Sequence, residues 1–150
     1  MDAKILDLIR SNDHLTVSRL ITHIENDKQI SNSLLEEIYK YGKDALRIGI
    51  TGPPGCGKST LTDQLIKQIL NDGQSVGVVA VDPTSPFTGG ALLGDRVRMN
   101  NYIWNDDVYI RSLGSQDSRG GLATKAQYVG DIIAASKKNV IIYETVGVGQ

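Results

Sequence analysis

A phosphate-binding pattern lies in the first half of the chain. The segment GPPGCGKS fits the spacing G-x-x-x-x-G-K-[ST], with its fixed positions at Gly52, Gly57, Lys58 and Ser59. Glycines let the backbone N–H groups turn inward around a β-phosphate, where a side chain would block the approach. Lysine at this position reaches the β- and γ-phosphates, and the serine hydroxyl is placed to coordinate Mg²⁺. The pattern therefore predicts a site for a nucleoside triphosphate with Mg²⁺.

The predicted nucleotide contacts extend over the whole loop and the start of the following helix, whose positive end faces the same anion. They are Gly52, Pro53, Pro54, Gly55, Cys56, Gly57, Lys58, Ser59 and Thr60. We interpret Cys56 as a small residue that fills the loop, and a reactive thiol at a helix N-terminus is the alternative.

Two acidic residues end predicted strands. Asp82 closes SVGVVAVD and Glu144 closes NVIIYE. Ligands of open parallel sheets bind beyond the carboxyl ends of the strands, so both carboxylates are expected beside the phosphate loop. There they could hold Mg²⁺ or its waters, whereas the alternative is a polar residue that only closes a strand. In ETVG, Gly147 stands where P-loop GTPases carry the glycine of D-x-x-G, whose N–H can sense a γ-phosphate.

The segment from Asp82 to Met99 combines Gly, Pro, Ser and Thr with a charged cluster. We predict a mobile loop here, carrying Asp95, Arg96 and Arg98. Solvation at the surface is the alternative explanation for these charges.

The elements that must position these residues follow from apolar periodicity. Strand candidates (RIGI, SVGVVAVD, DVYIRSL and NVIIYE) alternate with helical patterns, which predicts an α/β fold with a parallel sheet covered by helices. Residues 1–45 predict two or three short helices, one of them with a capping box at Ser33 to Glu36. We therefore expect a helical extension over 1–45 and part of a P-loop domain over 46–150.

Composition narrows the classes of partner. Sixteen basic and seventeen acidic residues give a net charge of −1 with no long basic run, which disfavours nucleic acid. No apolar run approaches the ~20 residues of a membrane span, and the N-terminus lacks the apolar core of a signal peptide. With its single cysteine, the chain is expected to be soluble and cytoplasmic.

Four segments together resemble the MeaB/ArgK family of GTPases: GITGPPGCGKSTL, AVDPTSPFTGGALLGDRVRM, IRSLGS and ETVGVGQ. The members of this family are chaperones of adenosylcobalamin-dependent methylmalonyl-CoA mutase and related mutases. The resemblance implies GTP or GDP as ligand, Mg²⁺ at Ser59, Asp82, Asp95 and Glu144, directly or through water, and a role of Arg98 with Lys58 in hydrolysis. It also implies a helical extension before the GTPase domain, as well as a homodimer.

The chain departs from the family pattern in two places. QDSRGG stands where the family usually has R-G-x-x-G-G, and the sequence stops at Gln150 before the guanine-reading N-K-x-D segment and the dimerisation arm. We therefore expect an N-terminal fragment, whose preference for guanine over adenine and whose client, methylmalonyl-CoA or isobutyryl-CoA mutase, the residues leave open.

Three functions compete at this point. The first is a Mg²⁺-dependent GTPase that gates cobalamin loading or protection of a mutase. The second is an ATP-dependent kinase linked to lysine/arginine/ornithine transport, as an older family label has it, for which the chain shows no acceptor site or base. The third is a fragment that binds nucleotide without catalysis.

Overall fold

The computed structural model describes residues 1–53, 55–82, 93–114 and 121–145, with the backbone alone at 82 and 93–97. In these ranges three helices come first, and strands then alternate with further helices. The helices are α1 (Asp2–Arg10), α2 (His14–Glu25), α3 (Asn32–Gly42), α4 (Lys58–Asn71), α5 (Leu93–Tyr102) and α6 (Leu122–Ala135). The strands are β1 (Leu46–Ile50), β2 (Val76–Asp82), β3 (Val108–Gly114) and β4 (Val140–Thr145).

The strands form one parallel sheet in the order β1-β4-β2-β3. Its register places Glu144 of β4 opposite Ile50 of β1 and Ala80 of β2. The ends of β1, β2 and β4 therefore meet at one edge of the sheet. The predicted α/β fold with a parallel sheet covered by helices is confirmed.

Both faces of the sheet are buried, because side chains along β2 point alternately into two apolar clusters. Val76 and Val78 belong to an apolar cluster with Ile66 of α4, whereas Val79 and Val81 belong to the cluster on the opposite face with α6. A strand covered on both sides needs apolar residues at successive positions, which is why SVGVVAVD lacks polar alternation. Helix α4, which carries the phosphate-loop lysine, is thereby fixed against the sheet.

Helices α1, α2 and α3 pack on α6 and share its apolar cluster. Ile21 of α2 is fully buried there. Polar contacts reinforce the packing, since the hydroxyls of Ser18 and Tyr109 lie 2.7 Å apart and Arg111 of β3 donates to Glu25. The division into 1–45 and 46–150 stays a prediction, while the apolar cluster itself runs across that boundary.

Two local predictions are wrong. Helix α3 has its N-cap at Ser31, not at Ser33, because the Ser31 hydroxyl accepts the Leu34 N–H at 3.2 Å. The segment predicted as a loop up to Met99 enters α5 at Leu93, so Asp95 and Arg98 lie on a helix. Glycines and prolines in 82–90 signal a loop, but the charged residues that follow are compatible with a helix.

Across the described ranges, no helix combines the length and apolar character that a membrane crossing needs.

Candidate nucleotide site

The loop between β1 and α4 has the backbone that its glycines permit. Gly55 and Gly57 adopt φ values of +79° and +101°, in the left-handed region that other residues disfavour. Gly57 is the N-cap residue of α4, so the helix begins directly at Lys58. Gly52 has a φ of +153°, and a Cβ atom there would lie 2.8 Å from the Cys56 sulfur, so a side chain at this position would be strained and would have to displace that of Cys56. Cys56 itself is exposed and carries a free thiol.

The Lys58 side chain folds back over this loop. Its Nζ donates to the carbonyl oxygens of Gly52 at 2.8 Å and Pro53 at 3.1 Å. An ammonium group held against the backbone of this loop has the charge and the position to bind phosphate oxygens. The helix that starts at this residue adds the partial positive charge of its N-terminus.

Ser59 and Glu144 come together across the edge of the sheet. The Ser59 hydroxyl donates to Glu144 Oε1 at 3.3 Å, and the Glu144 side chain is buried. Nearby, the Thr145 hydroxyl donates to Thr51 Oγ1 at 2.7 Å, which joins the end of β4 to the start of the loop. Two residues predicted as metal ligands are thus neighbours. Thr60, predicted as a nucleotide contact, lies exposed in the first turn of α4.

Arg98 reaches the same place from α5. Its Nη1 donates to Glu144 Oε2 at 3.3 Å, and its Nε donates to Asp63 Oδ1 at 2.9 Å. The side chain is only 6% exposed. The guanidinium therefore lies between a carboxylate of α4 and a carboxylate at the end of β4.

Asp63 is the residue that sequence reasoning missed. It lies four positions after Ser59 on α4, a spacing that places both side chains on one helix face. That spacing is the signal that could have identified it. Its charge also affects Tyr102, one turn after Arg98 on α5: burial raises the pKa of the Tyr102 phenol and the Asp63 carboxylate raises it further, while Arg98 opposes both.

Other predicted site residues are only partly described. Asp82 ends β2 at the same edge as Glu144, and Asp95 lies in the first turn of α5, but their side chains are outside the described set. Pro54, Gly147 and the shifted QDSRGG motif, except its last residue, fall outside the described residues.

The donor set at this edge suits Mg²⁺ bound to a nucleotide. Ser59 and Glu144 offer a hydroxyl and a carboxylate, which are the hard oxygen donors that Mg²⁺ prefers. Mg²⁺ usually takes one or two such protein oxygens and completes its shell with waters and phosphates. The residues present therefore fit the ion.

Comparisons with known proteins show which proteins this chain is similar to. A family model described as "Methylmalonyl Co-A mutase-associated GTPase MeaB" matches residues 17–150. A protein of Pyrococcus abyssi that is named as a GTPase is 46% identical over 147 residues, covering 98% of this chain and 45% of that protein. A fused isobutyryl-CoA mutase of Geobacillus kaustophilus is 37% identical over 155 residues, covering 97% of this chain and 14% of that protein.

A solved structure is similar as well. The crystal structure of an LAO/AO transport system kinase superposes with a TM-score of 0.74 at 27% identity. The match covers 99% of this chain and 44% of the other. The chain thus spans less than half the length of this kinase and of its Pyrococcus relatives.

Proposed function

Because the chain belongs to the family of methylmalonyl Co-A mutase-associated GTPases, we propose that its protein binds and hydrolyses GTP with Mg²⁺ and thereby gates the loading or protection of cobalamin in a mutase. The observation that carries the nucleotide part is the convergence of Lys58, Ser59 and Glu144 at one sheet edge. The chain spans less than half the length of the relatives it matches, so the proposal concerns the whole protein.

The binding chemistry follows from the loop. Lys58 would exchange the two loop carbonyls for β- and γ-phosphate oxygens, and the loop N–H groups would surround the β-phosphate. Ser59 and Glu144 would hold Mg²⁺, directly or through water, with Asp82 and Asp95 as further ligands of the shell. When bound, Mg²⁺ supplies positive charge to the phosphate oxygens.

The proposed reaction is an in-line attack of water on the γ-phosphorus. The bond from phosphorus to the bridging oxygen breaks with its electron pair moving to GDP, and the proton of the water ends on inorganic phosphate. Lys58 stabilises charge on the phosphates, and Arg98 on α5 is close enough to Glu144 to contribute a second cation. Gly147 is proposed to sense the γ-phosphate through its N–H.

We infer the mutase partner from the names of the relatives and of the family. In the fused isobutyryl-CoA mutase, a segment similar to this chain is part of a protein named as a mutase. We propose an adenosylcobalamin-dependent mutase as partner, a homodimer for the whole protein and a cytoplasmic location, without nucleic acid or membrane as partners.

Substituting Lys58 tests the site. Lys58→Ala is expected to weaken GTP and GDP binding by about 10- to 100-fold in calorimetry with Mg²⁺, since it removes charge-assisted hydrogen bonds to phosphate. Lys67→Ala is the matched control, because Lys67 is an exposed lysine on the same helix. Equal affinities of the two variants would contradict the proposed site.

A kinase is the second candidate, favoured by the likeness to the LAO/AO transport system kinase structure. GTP and ATP, each labelled at the γ-phosphate in separate reactions, distinguish the two functions. Label released as inorganic phosphate, with a rate that a mutase raises, supports the GTPase. Label transferred to an acceptor from ATP supports the kinase, and equal binding of GDP and ADP without turnover supports a fragment that binds without catalysis.

A further inference from the structure

A groove lies between α1 and α2 on the surface of the N-terminal helices. It has a volume of about 640 Å³, compared with about 350 Å³ and 190 Å³ for two other cavities among the described residues. On α1 its lining residues recur every three or four positions, so they form one helix face. Leu20 belongs to the buried apolar cluster, Ile5 packs against that cluster, and Leu8 is 37% exposed. The floor of the groove is therefore apolar and continuous with the core.

Positive charge surrounds this floor. The basic residues that line the groove are Lys4, Arg19, His23 and Lys28. No acidic side chain is among the lining residues that the structure describes, and none of the ion pairs between described residues includes one of the three lysine and arginine cations. Nearby carboxylates are engaged elsewhere, since Asp13 caps α2 and Glu25 pairs with Arg111 of β3. The groove thus combines an apolar floor with a positively charged rim.

The walls of the groove favour a helix as its occupant. Both walls are α-helices, whose backbone groups are bonded within each helix, so an extended peptide would find no strand edge to pair with. By contrast, the side chains of a third helix can pack into the groove between two neighbouring helices. The lining face of α1 runs from Met1 to Leu8, which corresponds to about 10 Å or two helical turns. A short apolar stripe on a helix would therefore cover the floor.

We propose that this groove binds an amphipathic helix of a partner protein, whose apolar stripe is bordered by Asp and Glu. The apolar side chains of that helix pack on Ile5, Leu8 and Leu20, which removes apolar surface from water. Its carboxylates meet Lys4 and Arg19, so the two surfaces are electrostatically complementary. The residues of the candidate nucleotide site lie on other elements than α1 and α2, so the inference is independent of the proposed function.

Three synthetic peptides test the charge of the partner. Each is a helix-forming sequence of Ala, Gln and Leu with an apolar stripe of Leu, and the positions beside the stripe hold Glu, Lys or Gln. Fluorescence anisotropy of a neutral dye on the peptide measures binding to the protein. The Glu peptide is expected to bind about tenfold more tightly than the Lys peptide. Raising the ionic strength from about 0.1 M to about 1 M is expected to reduce this difference, because salt screens exposed charges.

Substitutions in the protein locate the binding site. Arg19→Glu is expected to weaken binding of the Glu peptide by about fivefold, since it reverses a charge of the rim. Lys43→Glu is the matched control, because Lys43 is an exposed lysine at the end of α3 that does not line the groove. Leu8→Ala is expected to weaken binding of all three peptides by about threefold, since it removes apolar contact area. Its control is Leu15→Ala, at an exposed leucine of α2 outside the groove.

Several outcomes would overturn the proposal. These are equal affinities of the Glu and Lys peptides, a dissociation constant of the Glu peptide above about 1 mM, or equal effects of Arg19→Glu and Lys43→Glu. Sedimentation with phosphatidylserine vesicles tests a different anionic surface. Vesicle binding that Arg19→Glu abolishes, without a preference for the Glu peptide, would assign the groove to a membrane. The substituted side chains are exposed, and thermal unfolding shows whether each variant is folded.

Discussion

At the scale of single residues, Lys138 is a buried lysine that lies outside the candidate nucleotide site. It lies just before β4, is 3% exposed, and donates to Asn12 Oδ1 at 2.5 Å and to the Ser136 carbonyl at 3.2 Å. Burial lowers the pKa of its ammonium from 10.5 to about 8, against the opposing effect of Asp107 and Asp106. Burial of Lys138 therefore lowers the free energy of unfolding whenever the ammonium is charged.

This cost predicts a rise of stability with pH. Below pH 8 Lys138 is charged in the folded protein, and its burial lowers the free energy of unfolding by the full amount. Between pH 8 and 10.5 the folded protein loses the Lys138 proton while the unfolded chain keeps it, so the free energy of unfolding rises with pH. The free energy of unfolding of the unsubstituted protein, relative to Lys138→Met, is expected to rise by about 2 kcal/mol between pH 7 and 9.5. Urea unfolding of both proteins at each pH measures the difference. A difference between the two free energies of unfolding that stays constant from pH 7 to 9.5 would show that the pKa of Lys138 is not lowered.

At the scale of elements, the start of α3 depends on one hydroxyl. Ser31 Oγ accepts the Leu34 N–H and donates to Asp2 of α1 at 2.6 Å, so it satisfies an end of one helix and links it to another. Ser31→Ala is expected to lower the free energy of unfolding by about 1 kcal/mol. Ser33→Ala, one residue inside the helix, is expected to change it by less than about 0.5 kcal/mol. Chemical denaturation measures the free energy of unfolding of both variants. A larger loss in Ser33→Ala than in Ser31→Ala would show that Ser33 is the N-cap, as predicted from SLLE.

Prediction from sequence succeeded where local patterns suffice. The helix after the glycine-rich loop and the doubly buried strands depend on local patterns, so they could be predicted without knowing the fold. The Asp63–Arg98 pair could not be predicted in this way, because the two residues are 35 positions apart and meet only once α5 packs near α4. Gly130 is similar: a Cβ there would lie 1.9 Å from the Tyr143 hydroxyl, a contact that no local pattern announces.

At the scale of the whole molecule, the N-terminal helices and the sheet share one apolar cluster, so they are expected to unfold together. Ile21→Ala on α2 is expected to cost about 2–5 kcal/mol. Amide hydrogen exchange in β2 and β4 should then accelerate by the same factor as exchange in α2.

Leu15→Ala is the matched control, because Leu15 lies on the same helix and is 58% exposed. Its effect on exchange in the sheet is expected to be small. Acceleration confined to α1, α2 and α3 in Ile21→Ala would show that the helices open independently of the sheet.

The pairing of β1 with β4 also bears on how the protein is made. Ile50 and Glu144 lie opposite each other although 94 residues separate them along the chain. During synthesis, the strand that leads into the phosphate loop must wait for β4 to leave the ribosome before this pairing can form, and contacts of such long range form slowly. The pairing that places Glu144 beside the loop between β1 and α4 therefore cannot form before β4 has been translated, whatever the state of the residues that precede it.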